Sequence, residues 1–208
     1  LDPGPDGFDH DKLLTSIKTI GQYKVSGNKT LMCNGATIQS TDPNPANRGP
    51  IHVIGPGLTL TVDNCNISGD GWALLGALDG AALVVRNNTH MTGSNNSAIY
   101  LRSATLTLTG GSIDQARWGV QMENSTASVH GVSITGTTFG VQNVAGKLTL
   151  DSSTLTNLDP GAGPGVSIIG SAQYPSSGAS ATISNTTFTG FLNAIDIQPT
   201  AAQGLPSG

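Results

Sequence analysis

Charge is scarce in this 208-residue chain: only 11% of residues are charged, with nine Lys and Arg against thirteen Asp and Glu, for a net charge of -4. The few cations are scattered singly, so the chain lacks the basic footprint that nucleic acid or an anionic membrane surface requires, and both are excluded as partners. Aromatic residues make up 4% and cysteines number two. A core of this protein is therefore aliphatic, and a dense disulfide scaffold is excluded. No apolar run reaches the roughly 18 residues that a membrane-spanning helix needs. The chain opens on Leu1 with no signal-type apolar stretch, which reads as a processed or trimmed start.

What is abundant is glycine, 28 residues, set among Ser, Thr and Asn between short apolar pairs. That composition is turn-rich and all-β. One phrase recurs: apolar-x-apolar, four mostly polar residues, then apolar. It appears as Leu31, Cys33, Ile38; Leu60, Val62, Ile67; Leu106, Leu108, Ile113; Ala127, Val129, Ile134; Leu148, Leu150, Leu155; and Ala181, Ile183, Phe188. The copy at Leu83, Val85 and Met91 is one residue longer, a bulge or a shifted turn. A second phrase, a small residue before apolar-x-apolar, falls between the first ones at Ile51/Val53, Ile99/Leu101, Val120/Met122, Val166/Ile168 and Ile195/Ile197.

Period-two alternation puts one side of each short strand inside and the other in water. Ile113, Ile134 and Leu155 are spaced by 21 residues, one rung of a parallel β-helix. Rungs stacked at about 4.8 Å place equivalent residues over one another, so Ile38, Ile67, Ile113, Ile134, Leu155 and Phe188 are expected to form one internal ladder. A β-sandwich is disfavoured, because it does not demand one phrase at constant spacing. The expected architecture is all-β: a single-stranded parallel β-helix of about seven coils over residues 29–198, a cap at 1–28 and a tail or linker at 199–208. Phe8, Leu13, Leu14, Ile17 and Ile20 have helical spacing and predict a short amphipathic capping helix. Inserts at Ser40–Gly49, Asp159–Gly165 and Ser171–Gly178 are expected to loop out on one face, where binding is often carried.

The repeat, and phrases such as Leu58-Thr-Leu-Thr-Val-Asp-Asn-Cys-Asn-Ile-Ser-Gly and Ala181-Thr-Ile-Ser-Asn-Thr-Thr-Phe-Thr-Gly, resemble the pectate-lyase-like right-handed parallel β-helix superfamily. Among its members the chain looks most like the non-enzymatic bacterial surface helices of the pertactin type. The resemblance implies a fold and a right-handed coil; function does not travel with it.

Cys33 and Cys65 fall on adjacent coils, Cys33 in the position Val62 takes in the next coil and Cys65 beside Ala36, both pointing inward. Neighbouring rungs bring them near enough for a disulfide although their register differs by three residues, the alternative being two buried thiols. A bridge would place the chain in an oxidising compartment, secreted or in the cell envelope.

Outward positions of the first strand include His130 and Asp151 as stacked neighbours, a candidate acid–base pair set against an ordinary cross-strand polar pair on a wet sheet. Outward on the second strand stand Tyr100, Gln121 and Gln142, with Arg102 just beyond Tyr100. Aromatic rings stack on sugars and amides hydrogen-bond to them, which makes these four the candidate glycan-binding strip. His10, His52 and His90 have no close metal-ligand spacing, but the fold could assemble them into a copper or zinc site. Carboxylates on one sheet could bind calcium in a lyase-like site, although no acidic pair sits on consecutive coils. Two classes of function stay open. One is a structural or binding module, without catalysis, directed at another envelope protein or a glycan. The other is an enzyme, either a polysaccharide lyase or hydrolase or a metal-dependent redox enzyme.

Overall fold

The computed structural model describes residues 12–13, 18–20, 23–25, 27–40, 51–69, 72–159, 162–175 and 178–199. Three parallel sheets of eight strands each wind into a β-solenoid, every coil giving one strand to each sheet in turn. A representative coil runs Thr105–Thr109, Ser112–Asp114 and Trp118–Glu123. The next runs Thr126–His130, Ser133–Thr135 and Phe139–Val144.

The core follows from alternation. On the first sheet Leu60, Leu83, Leu106, Ala127, Leu148 and Ala181 stack in register, with Val62, Val85, Leu108, Val129, Leu150 and Ile183 two residues on. The second sheet stacks Ile38, Ile67, Met91, Ile113, Ile134, Leu155 and Phe188, the internal ladder expected from the repeat. Nearly all are fully buried, so the interior is one aliphatic column. Aliphatic side chains that stack on their own kind keep the packing uniform along the axis.

Met122 is followed in its column by Asn143, buried completely. Its amide nitrogen donates to Gly146 O at 3.0 Å and Ser180 O at 2.8 Å, and its oxygen accepts from Gly146 N at 3.0 Å. A polar side chain is tolerated there because its partners are supplied by the backbone. The bend leaving the first sheet has its own device: buried hydroxyls that donate within their own coil and accept from the coil before. Ser153 Oγ donates to Asp151 O at 2.9 Å and accepts Val132 N at 3.1 Å; Thr89 Oγ1 donates to Arg86 O at 2.8 Å and accepts Cys65 N at 3.3 Å.

Two expectations are corrected. Of the residues that predict the capping helix, Phe8, Leu14 and Ile17 lie outside the described residues, and those described around them are not helical. Lys12–Leu13 and Lys18–Ile20 are strands, followed by Tyr23–Val25, and all three pair in parallel with the next coil. Strands of two and three residues are too short to display a period of two, so their apolar spacing mimics a helix. Among the described residues the solenoid accordingly has eight coils rather than seven.

The second correction is the register at the cysteines. Leu31, not Cys33, stacks on Val62, while Ile38 does stack on Ile67. The intervening turn is two residues longer than its successor, with Asn34 and Gly35 both in left-handed conformation, at φ 48° and 80°. That longer turn carries Cys33 over Cys65, 4.8 Å apart at Cα, and the two form a disulfide. The long copy at Leu83 likewise resolves as a turn rather than a bulge: Asn87 and Asn88 are both left-handed, a conformation Asn accepts more readily than most residues.

Candidate functional site

Candidate sites are sought among the rows of side chains on the outer faces of the three sheets. On the first sheet the outward column after Thr109 is His130, Asp151 and Ser184, paired strand to strand. The Nδ1–H of His130 donates to Asp151 Oδ2 at 2.9 Å, the proton being on Nδ1 because a carboxylate only accepts. Asp151 also accepts from Ser184 Oγ at 2.7 Å, Asn185 Nδ2 at 3.1 Å and Ser152 Oγ at 3.0 Å. Ser184, Asn185 and Ser152, in that order, pull its pKa down to about 2, with a smaller contribution from His130. Donors that prefer the ionised form cause this depression.

Asp151 thus ties three consecutive coils together through one carboxylate. Ser152 and Asn185 reach it because both are left-handed at the bend, φ 52° and 48°, which turns their side chains back along the strand. Chemically, Asp151 is an orienting anion and not an acid at neutral pH. The other nitrogen of His130, in the neutral ring, is an acceptor on the solvent side of an exposed sheet. An arrangement of the same kind stands four coils earlier, where Asp63 accepts Arg86 Nε at 2.8 Å and Asn87 Nδ2 at 2.9 Å.

A pH prediction follows from the depressed carboxylate. Since the folded pKa lies below the ordinary value of about 3.9, the stabilisation is complete above pH 4 and drains away as pH falls toward 2. Thermal melts of the wild type and Asp151→Asn are expected to differ at pH 6 and to converge near pH 2. A constant gap between the two across that range would contradict the assignment.

On the third sheet the expected glycan strip divides. Gln121 and Gln142 are neighbours in register, and Gln121 Nε2 donates to Gln142 Oε1 at 3.0 Å while its own oxygen accepts Ser97 Oγ at 2.7 Å. Tyr100 is in line with Gln121 but only 7% exposed. Its ring meets Trp72 edge-on, centroids 4.6 Å apart at 72°, in a small apolar cluster with Ala73 and Leu78 on the outer side of the sheet. Arg102 donates to Asp79 Oδ1 at 3.2 Å, at the bend.

Sequence reasoning missed a second aromatic pair on this sheet. Trp118 and Phe139 occupy the same position of adjacent coils and stack with centroids 3.9 Å apart and planes 13° from parallel. Both rings are partly exposed, three residues before Gln121 and Gln142 on the same two strands. The signal was present: the aromatics are 21 residues apart, the period of the repeat in that region.

The histidines are dispersed. His52 is buried on the third sheet, facing Gly76 of the next coil; His90 lies on the second sheet, within 3.4 Å of Asp114 and hydrogen-bonded to Ser112; His130 is on the first. His10 lies outside the described residues. Among the described residues no group of three His, Cys, Asp or Glu side chains is arranged to hold a metal ion. Of the long inserts, Gly178 edges a cavity of about 290 Å³ lined by residues 124–126 and 145–147. Polar groups there, such as Asn124 bonded to Ser103 and Ser125 bonded to Glu123 O, already have partners.

The three sheets, the aliphatic column and the ladders define the class: a parallel β-solenoid. Compared with known protein families and with curated proteins, the chain matches none. No helix among the described residues is long and apolar enough to cross a membrane.

Proposed function

We propose that the chain is a secreted or cell-envelope binding module of the pectate-lyase-like right-handed β-helix kind, nearest the pertactin-type surface helices, and that it binds an extended glycan. The observation that carries this reading is the paired row on the third sheet: two aromatic rings, Trp118 and Phe139, followed three residues later by two amides, Gln121 and Gln142, on adjacent coils. Aromatic rings give sugars an apolar surface and fixed amides give their hydroxyls donors and acceptors. A rigid scaffold that repeats one motif coil after coil suits a polymer that repeats along its length. The disulfide supports an oxidising location, since such bridges persist there and are rare in reducing compartments.

Titration of oligosaccharides against the tryptophan emission is the direct test. A binding glycan is expected to change the emission, with Trp118→Ala or the Gln121→Ala/Gln142→Ala pair weakening binding about tenfold, the cost of one or two good hydrogen bonds or a stacked ring. Ser133→Ala, on the second sheet, is expected to have no effect. Equal binding by all these variants would remove the site.

A second reading, glycan cleavage, is favoured by the 2.9 Å bond from His130 to Asp151, in which an oriented imidazole would act as base. Asp151→Ala/His130→Ala would then abolish turnover of a polysaccharide that the wild type degrades, whereas a binding module has no turnover to lose.

A further inference from the structure

Asn34 is followed by Gly35, and no other asparagine of the chain precedes a glycine. Both residues are exposed and left-handed in the long turn between the first and second sheets. Among the described residues nothing hydrogen-bonds the Asn34 carboxamide, whereas Asn66, Asn124 and Asn185 each donate from theirs. A Cβ at Gly35 would meet nothing within 4 Å, so the turn is open on its outer side. A carboxamide beside glycine is the one most readily attacked by the next backbone nitrogen, because no side chain shields that nitrogen. The turn is nevertheless fastened. Gly35 N–H donates to Asn64 O at 2.7 Å, Cys33 N–H donates to Asp63 O at 3.0 Å, and Gly35 O accepts from Asn66 Nδ2 at 2.6 Å. The disulfide from Cys33 to Cys65 anchors the same turn to the same neighbouring coil, one residue before Asn34. A nitrogen that donates to a carbonyl is held toward that carbonyl and is not free to turn on the carboxamide beside it.

We propose that Asn34 is a site of spontaneous deamidation that the disulfide keeps shut. The step is an intramolecular acyl transfer. The Gly35 nitrogen gives its proton to solvent base and bonds to Asn34 Cγ, while the Cγ–Nδ2 bond breaks and the departing amine takes up a proton as ammonia. A succinimide ring is left. Water opens it at either carbonyl, giving aspartate or isoaspartate, so no oxidant or reductant enters the step itself. Before attack, Gly35 N–H must let go of Asn64 O, which requires the turn to lift from the next coil. The bridge prevents that in the oxidised chain. Reduction frees the turn to open locally while distant coils keep their packing, since each coil touches only its neighbours. Isoaspartate lengthens the backbone by a carbon within the turn that carries Cys33 over Cys65, so the modified turn no longer seats the two sulfurs together. The site thus records how long the chain has been reduced.

Peptide mapping by mass spectrometry, with an isoaspartate-specific methyltransferase assay, tests this on the intact chain incubated in mildly alkaline buffer with and without dithiothreitol. Modification of Asn34 is expected to run about a hundredfold faster in the reduced protein, because the open turn is that much more populated without the bridge. Asn124 and Asn185, on coils away from the bridge, are internal controls and are expected to keep one rate in both states. Cys33→Ala/Cys65→Ala without reductant is expected to behave as the reduced wild type, and Asn34→Ser to give no product at that peptide. Far-UV circular dichroism follows the fold throughout. Equal rates with and without the bridge, no product at Asn34 in the reduced chain, or an acceleration shared by Asn124 and Asn185 would each overturn the proposal.

Discussion

Gly140→Val is expected to destabilise the solenoid by about 3 kcal/mol or more, the upper range for forcing volume into a packed core. A Cβ at Gly140 would lie 2.3 Å from Gly165 O and 2.4 Å from Leu155 Cδ2. The same crowding recurs one coil to either side, where Gly119 faces Gly140 O and Ile134, and Gly165 faces Phe188 and Ala194 O. At these positions the third sheet closes onto the inward side chain of the second, and the missing Cβ makes room for Ile134, Leu155 and Phe188. The clash is with backbone as well as side chain, so relaxation would have to move a coil, not a rotamer. A chain of this size should lose roughly 6 to 12 °C in thermal midpoint. Gly178→Ala, with nothing within 4 Å of the added carbon and no left-handed backbone, serves as the control and should be neutral. Equal melting of Gly140→Val and wild type would show that the coils are packed more loosely than described.

Removing the disulfide is the second large effect. The Cys33→Ala/Cys65→Ala protein is expected to lose about 3 to 4 kcal/mol, from the chain entropy released when a loop of this length is no longer closed. The loss should be local. In a solenoid each coil touches only its neighbours, so amide exchange should accelerate around residues 29–40 and 59–68 while the coils from Thr126 onward keep their protection. Uniform acceleration along the chain would mean that the solenoid unfolds as one cooperative unit. Reduction of the wild type should reproduce the variant.

How much of this could be read beforehand depended on how many coils voted for each assignment. The ladder from Ile38 to Phe188 was legible because seven successive coils repeat it, and an error in one coil is corrected by the others. Cys33 shows the limit: read by phrase alone it falls on Val62, and the displacement comes from two residues, Asn34 and Gly35, whose left-handed turn no periodicity announces. The first coil was misread for a related reason, since strands of two and three residues leave no pattern to detect.

At the surface the division is sharper. The His130–Asp151 neighbourhood was legible, because both residues occupy one outward position of adjacent coils. That Ser184, Asn185 and Ser152 would also converge on the carboxylate and depress it was not, since this depends on side chains swung back by the bend. Tyr100 stands in the column expected for it, but it is only 7% exposed, with its ring edge-on to Trp72.

By itself the sequence determined the repeat, the inward columns and the all-β class, because these depend on composition and on spacing along the chain. Tertiary structure alone decided the register across the long turn that brings Cys33 over Cys65, the burial of Tyr100, and the separation of His52, His90 and His130 onto three sheets. Each of those depends on which residues the coiling brings together from different rungs, and that proximity in space has no counterpart in spacing along the chain.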